Sequence, residues 1–196
     1  MQKGRLEAFS DGVLAIIITI MVLEIKVPHD KEHLADLLPM LPVFLSYVLS
    51  FLYIGIYWNN HHHMMHTVTK VNGPILWANH HLLFWLSLVP FVTGWMGENH
   101  FAPETMALYG FILLMSGVAY VILQNQIIKS QGENSLLKHA IGSDIKGKLS
   151  PVLYSLGIAT GFINSTLPAI FYVAVALMWL IPDKRIERIM SREGHQ

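Results

Sequence analysis

Six stretches of this chain are apolar for long enough that water is the wrong solvent for them. A helix needs about 20 mostly apolar residues to cross the hydrocarbon core of a bilayer. Such runs fall at about 6–25, 37–60, 74–96, 105–128, 149–164 and 165–182. The first reads LEAFSDGVLAIIITIMVLEI. The second carries Pro39 and Pro42 in its first turns, where a missing N–H matters least. Pro90 should kink or loosen the third near its end. The fifth and sixth are short and rich in Gly and Ala, with Pro168 near their junction, and small residues let membrane helices approach closely. Between the second and third runs lies a polar, His-rich junction, NNHHHMMHTVTKVNG. The expected fold is all-α: a single bundle of six transmembrane helices spanning residues 1–196.

Composition agrees. Charged residues are 13% of the 196 positions, against about 25% in soluble domains, and 53% are apolar. The length leaves no room for a separate soluble domain beside six spans. Zero formal net charge gives no reason to expect a nucleic acid or other polyanionic partner, and the absence of Cys excludes disulfides and thiolate metal sites. The N-terminus does not read as a cleavable signal, because the apolar run from Val13 to Leu23 follows Arg5, Glu7 and Asp11 and no small-residue cleavage site comes after it.

Loop charge sets the expected orientation. With the N-terminus inside, the inner segments hold Lys3, Arg5, Lys70, Lys129, Lys138, Lys146, Lys148, Lys184, Arg185, Arg188 and Arg192, and the outer loops hold Lys26 and Lys31. Eleven against two is a clear positive-inside bias. An even number of spans returns the C-terminus to the cytoplasmic side of a cell membrane. Trp95 and Trp179 lie near span ends, as interfacial anchors do. No second copy of RLEAFSDG occurs, so an inverted-repeat transporter is not supported.

Two sets of polar residues break the apolar pattern. Asp11 stands beside Ser10 inside the first span, and an intramembrane carboxylate is costly unless it faces protein or water. At 100° per residue, Arg5, Phe9, Gly12, Ile16, Ile20 and Leu23 form one stripe, with Asp11 roughly opposite and Ser10 to one side. Asp11 either pins the helix start at the interface or joins a hydrogen-bond network that locks the first helix to its neighbours. The second set is His61, His62, His63 and His66, followed by His80 and His81. Three roles stay open for it: helix-to-helix hydrogen bonding, transition-metal ligation and proton handling. No carbonyl filter sequence such as TVGYG is present.

Arg5-x-x-x-Phe9-Ser10-Asp11-Gly12, opening the first span, resembles the RxxxFSD signature of the TMEM175 family of cation channels. Tyr47, Ser50, Phe51, Tyr57 and Trp58 ahead of the His run resemble the family's second span, and Trp77-Ala78-Asn79 with Ser87-Leu88-Val89-Pro90-Phe91 resembles its third. The resemblance implies a potassium-permeable channel of the prokaryotic kind, one six-span repeat per chain assembling as a homotetramer. It further implies that the first helix lines the pore, with Ile16, Ile20 and Leu23 as an aliphatic constriction and Thr19 as a nearby polar group. Arg5, Ser10 and Asp11 are then expected to bond to His62, His63 or Asn79 and hold the helix in position, with Phe9, Gly12, Trp58 and Trp77 counted in the same signature and inter-helix network. No cofactor, catalytic residue or fixed metal is expected. The partners are membrane lipid and the permeant ions, potassium above sodium and other monovalent cations. Two rivals remain: a membrane di-metal oxidase or hydroxylase built on the HHxxH string of His62, His63 and His66, and a proton-coupled transporter using Asp11 and His.

Overall fold

The structure, a computed structural model, describes residues 2–29, 32–132, 135–142, 144–164 and 166–180. Among these residues every regular element is helical: α1 Lys3–Leu23, a 3-10 helix Leu34–Met40, α2 Leu41–His66, α3 Gly73–Ser87, α4 Val89–Glu98, α5 Pro103–Gln131, α6 Leu136–Ile141, α7 Ile145–Gly161 and α8 Thr166–Leu180. Prolines start four of them. Pro42, Pro74, Pro90 and Pro103 each sit in a first turn, where a backbone N–H has no partner to lose. Asn72 caps α3 by accepting from the Ile75 N–H at 3.0 Å.

Among the described residues four segments are long and apolar enough to cross a bilayer: Lys3–Leu23, Leu34–His66, Gly73–Glu98 and Pro103–Gln131. Three differ in extent from the sequence expectation. The His-rich stretch is not a loop, because α2 continues to His66, held down by the fully buried Met64 and Met65 and by His61. The third span breaks at Leu88 into α3 and α4, because Pro90 has no N–H to offer the carbonyl of Leu86. The fourth runs three residues further, to Gln131. α7 and the described part of α8 are 17 and 15 residues long. Lys31, Lys184, Arg185, Arg188, Arg192 and the end of the expected sixth span lie outside the described residues.

α5 is the centre of the bundle and packs on α3, α4 and α7, while α7 packs along α8. Tyr172 of α8 is the wedge that sets the spacing. Its hydroxyl donates to the Met106 carbonyl at 3.0 Å, and its ring lies where side chains at Gly110 and Gly157 would stand. Tyr53 of α2 donates to the Tyr172 carbonyl at 2.6 Å, and Ser50 meets Thr93 at 2.6 Å and Tyr109 at 3.0 Å. Among the described residues, no buried side-chain nitrogen or oxygen lacks a partner. In an apolar surrounding an unpaired polar group costs several kcal/mol, so these bonds fix helix register as well as adding stability.

α1 lies at the margin, packed on α2, α3 and α4. Lys3 Nζ donates to the His66 carbonyl at 3.1 Å, and Gln131 donates to the Thr67 carbonyl, so the start of α1 and the ends of α2 and α5 share one side. Lys26 and Glu98 pair at 2.8 Å on the other, tying the end of α1 to the end of α4.

Candidate functional site on the first helix

Although α1 is apolar nearly all round, only one of its faces is buried. Leu6, Ser10, Leu14, Ile17 and Met21 are each at most 3% exposed and follow one another at spacings of three or four residues. Ser10 is the polar member of this seam. Its hydroxyl donates to the Leu6 carbonyl at 2.9 Å and accepts from Asn79 Nδ2 at 2.9 Å. Asn79 Oδ1 in turn lies 2.8 Å from His61 Nε2 and, with the amide nitrogen committed to Ser10, accepts the imidazole N–H. All three side chains are buried. The bonds run from α1 through α3 to α2, and sliding any of the three helices would break one of them.

Asp11 does not join this buried chain. It is exposed, and its carboxylate accepts from Trp58 Nε1 at 3.0 Å. The Trp58 ring stacks on His62, which lies 3.0 Å from His66 through their Nε2 atoms. His63 meets His62 edge to face. The imidazole that reaches Asn79 is therefore His61, not His62 or His63. A heptad-like series explains the difference: Ser50, Ile54, His61 and Met64 face inward, whereas Trp58, His62 and His66, four apart, face outward. That spacing is the signal that singles out His61. Arg5 is exposed and, among the described residues, its side chain makes no hydrogen bond or ion pair. Phe9 stacks on His80 with ring centres 5.5 Å apart, and Trp77, largely exposed, leans on the same imidazole at 6.0 Å.

The opposite face is uncovered. Phe9, Ile16, Ile20 and Leu23 are 50%, 58%, 42% and 77% exposed, and a side chain added at Gly12 would meet open space. Thr19 is also exposed, with its hydroxyl bonded back to the Ile16 carbonyl at 2.9 Å. An open cleft of about 580 Å³ separates this stripe from α4, where Ile16 and Ile20 look across at Phe91 and Trp95, with Glu24 and the Lys26–Glu98 pair at its rim. The chain itself thus seats one face of α1 and leaves an aliphatic stripe with no neighbour.

Residues 5–90 match the family model described as endosomal/lysosomal potassium channel TMEM175. Over 191 residues the chain is 62% identical to a potassium channel of Chryseobacterium sp. (strain P1-3), with 97% of this chain and 99% of the relative covered. A potassium channel of Chamaesiphon minutus is 33% identical over 178 residues, covering 83% and 86% of the two chains. The chain belongs to the TMEM175 family. The crystal structure of a lysosomal potassium-selective channel TMEM175 homologue from Chamaesiphon minutus superposes with a TM-score of 0.81 at 29% identity, over 92% of this chain and 97% of that one. The matched segment of the family model holds α1 and α2 with the seam described above, and the structural match extends over the later helices as well. With bacterial full-length relatives and four long apolar helices, this TMEM175 protein is a multi-pass protein of the cell membrane.

Proposed function

We propose that this chain forms a potassium-permeable channel, without enzymatic activity, in which the outward stripe of α1 from each of four copies surrounds the ion path. One observation carries the proposal: α1 is locked into its own subunit by Leu6, Ser10, Leu14, Ile17 and Met21, and Ile16, Ile20 and Leu23 are left bare on the other side. Those bare residues lie within the 191 residues over which the chain is 62% identical to a bacterial potassium channel. Three rings of four aliphatic side chains about an axis make a narrow dewetting constriction rather than a ligand cage. With no carbonyl filter, an ion must keep part of its hydration shell, which favours potassium over the more tightly hydrated sodium by a modest factor. Six crossings, with α7 and α8 as the last two, put both chain ends on the cytoplasmic side in keeping with the lysine and arginine distribution.

The test is ion flux into proteoliposomes containing the purified protein. Ile16→Asn, Ile20→Asn and Leu23→Asn each place an amide at the constriction, and each should raise conductance or shift the potassium-to-sodium ratio. Unaltered flux and ratio in all three would remove the stripe from the pore. A steep dependence of potassium flux on a proton gradient would favour the coupled transporter instead. Stoichiometric iron in the purified protein would favour the di-metal enzyme instead.

A further inference from the structure

His62 and His66 are used neither by the buried chain nor by the outward stripe, yet they are the most tightly apposed pair of titratable groups on the surface of α2. They stand one helical turn apart with Nε2 atoms 3.0 Å from each other, ring centres 4.4 Å apart and ring planes at 79°. We propose that these two imidazoles form a clamp for one divalent transition-metal ion, copper(II) or nickel(II) in preference to zinc. The geometry supplies the reason. Metal-to-imidazole bonds are about 2.0–2.1 Å long, and two of them ending 3.0 Å apart subtend about 94° at the metal. That is the cis angle of square-planar or octahedral ions, which suits copper(II) and nickel(II), and it is well short of the tetrahedral angle zinc adopts in structural sites.

Little has to move for the ion to enter. Both side chains are exposed, so no buried cavity has to be opened. The helix fixes the spacing, and the Trp58 ring stacked on His62 holds that imidazole in place. Metal binding needs both Nε2 lone pairs, so the ring that donates in the Nε2-to-Nε2 hydrogen bond carries its proton on Nδ1 instead once the ion is bound, and that single hydrogen bond is what the ion displaces. The neighbouring charges on α1 nearly cancel, because Lys3 and Glu7 both lie close to His66 and 3.9 Å from each other. Water completes the coordination, since among the described residues no third protein ligand reaches the pair. The site lies where α1 meets the end of α2, with Lys3 bonded to the His66 carbonyl, so an occupied clamp braces the docking of the first helix.

The experiment is calorimetric titration of tag-free, full-length protein in nanodiscs with copper(II), nickel(II) and zinc chloride, with electron paramagnetic resonance of the copper-loaded sample. The expected result is one saturable copper ion per chain, affinity falling in the order copper, nickel, zinc, and a spectrum with two nitrogen ligands. His62→Gln and His66→Gln should each weaken binding at least tenfold, and His63→Gln should not. The wild-type titration is decisive by itself: absence of a saturable one-per-chain site overturns the proposal whatever the variants do. Retention of copper by the His62→Gln/His66→Gln double variant overturns it too, as does a loss in His63→Gln equal to that in His62→Gln.

Discussion

Replacing Asn79 with Ala removes the middle link of the buried chain and leaves its two neighbours in unequal positions. Ser10 keeps a partner, because its hydroxyl still donates to the Leu6 carbonyl, and it forfeits one accepted bond. Side-chain hydrogen bonds inside membrane proteins average about 0.6 kcal/mol. His61 keeps nothing in exchange, and at 2% exposure its ring N–H is left unpaired away from water. A buried donor stripped of its acceptor costs about 1–3 kcal/mol. The two terms together put Asn79→Ala at about 1.6–3.6 kcal/mol. Ser10→Ala breaks the same inter-helix contact and leaves the buried Asn79 amide N–H without its acceptor while the Asn79–His61 bond stays, so it too should cost about 1–3 kcal/mol. Equilibrium unfolding in mixed micelles, titrated with sodium dodecyl sulfate and followed by tryptophan fluorescence, measures both costs. If Asn79→Ala falls within about 0.5 kcal/mol of wild type, the bonds seen here do not hold the helix and the reasoning from an orphaned His61 fails.

Asp11→Ala and Trp58→Phe should each cost about 1 kcal/mol by the same unfolding measurement, and the double variant no more than either alone, since both remove the same charge-assisted bond. Gly157→Ala drives a methyl carbon to 2.5 Å from the Tyr172 ring and should cost about 1–3 kcal/mol, read as a lowered thermal midpoint. Lys26→Met should change the midpoint little, and less still in high salt, because the ion pair with Glu98 is exposed. Glu98, hydrogen-bonded to the ammonium and close in charge, raises the pKa of Lys26. A raised lysine pKa contributes its stability below the ordinary lysine range and loses it as pH climbs through the folded value. The wild-type advantage over Lys26→Met should therefore be constant through neutral pH and vanish only in strong alkali, and an advantage that fades between pH 6 and 8 would contradict the pairing.

The helices were legible because lipid demands long apolar runs, and those runs are interrupted by little else. Their ends were less so. The stretch from His61 to His66 is polar by composition, yet Met64 and Met65 bury themselves against the bundle and carry α2 through it. Hydropathy averaged over a window cannot see that two methionines and His61 face one way while His62 and His66 face the other. The same averaging hides which of three consecutive histidines is internal. His61 differs from His62 only in its position relative to Ile54 and Met64, which is a matter of helical phase and not of residue type.

Phase is also what gives α1 its two roles. Hydropathy alone could not orient a helix with Ile, Leu or Val on every side. The orientation follows from Ser10, whose hydroxyl reaches Asn79 across α3, and from the apolar seam that shares its face. Once that face is committed, Ile16, Ile20 and Leu23 must point away from the subunit, at 58%, 42% and 77% exposure. On the proposed function, anchoring and permeation are carried by different sides of one helix. Substitutions at Ser10 or Asn79 should therefore lower stability while channels that do assemble keep their ion preference. Substitutions along the stripe should alter flux while the unfolding free energy stays within about 0.5 kcal/mol of wild type, as is usual for residues outside a packed core. A stripe variant that unfolds the subunit, or an Asn79 variant that changes selectivity in otherwise stable channels, would show that the two faces do not divide the work in this way.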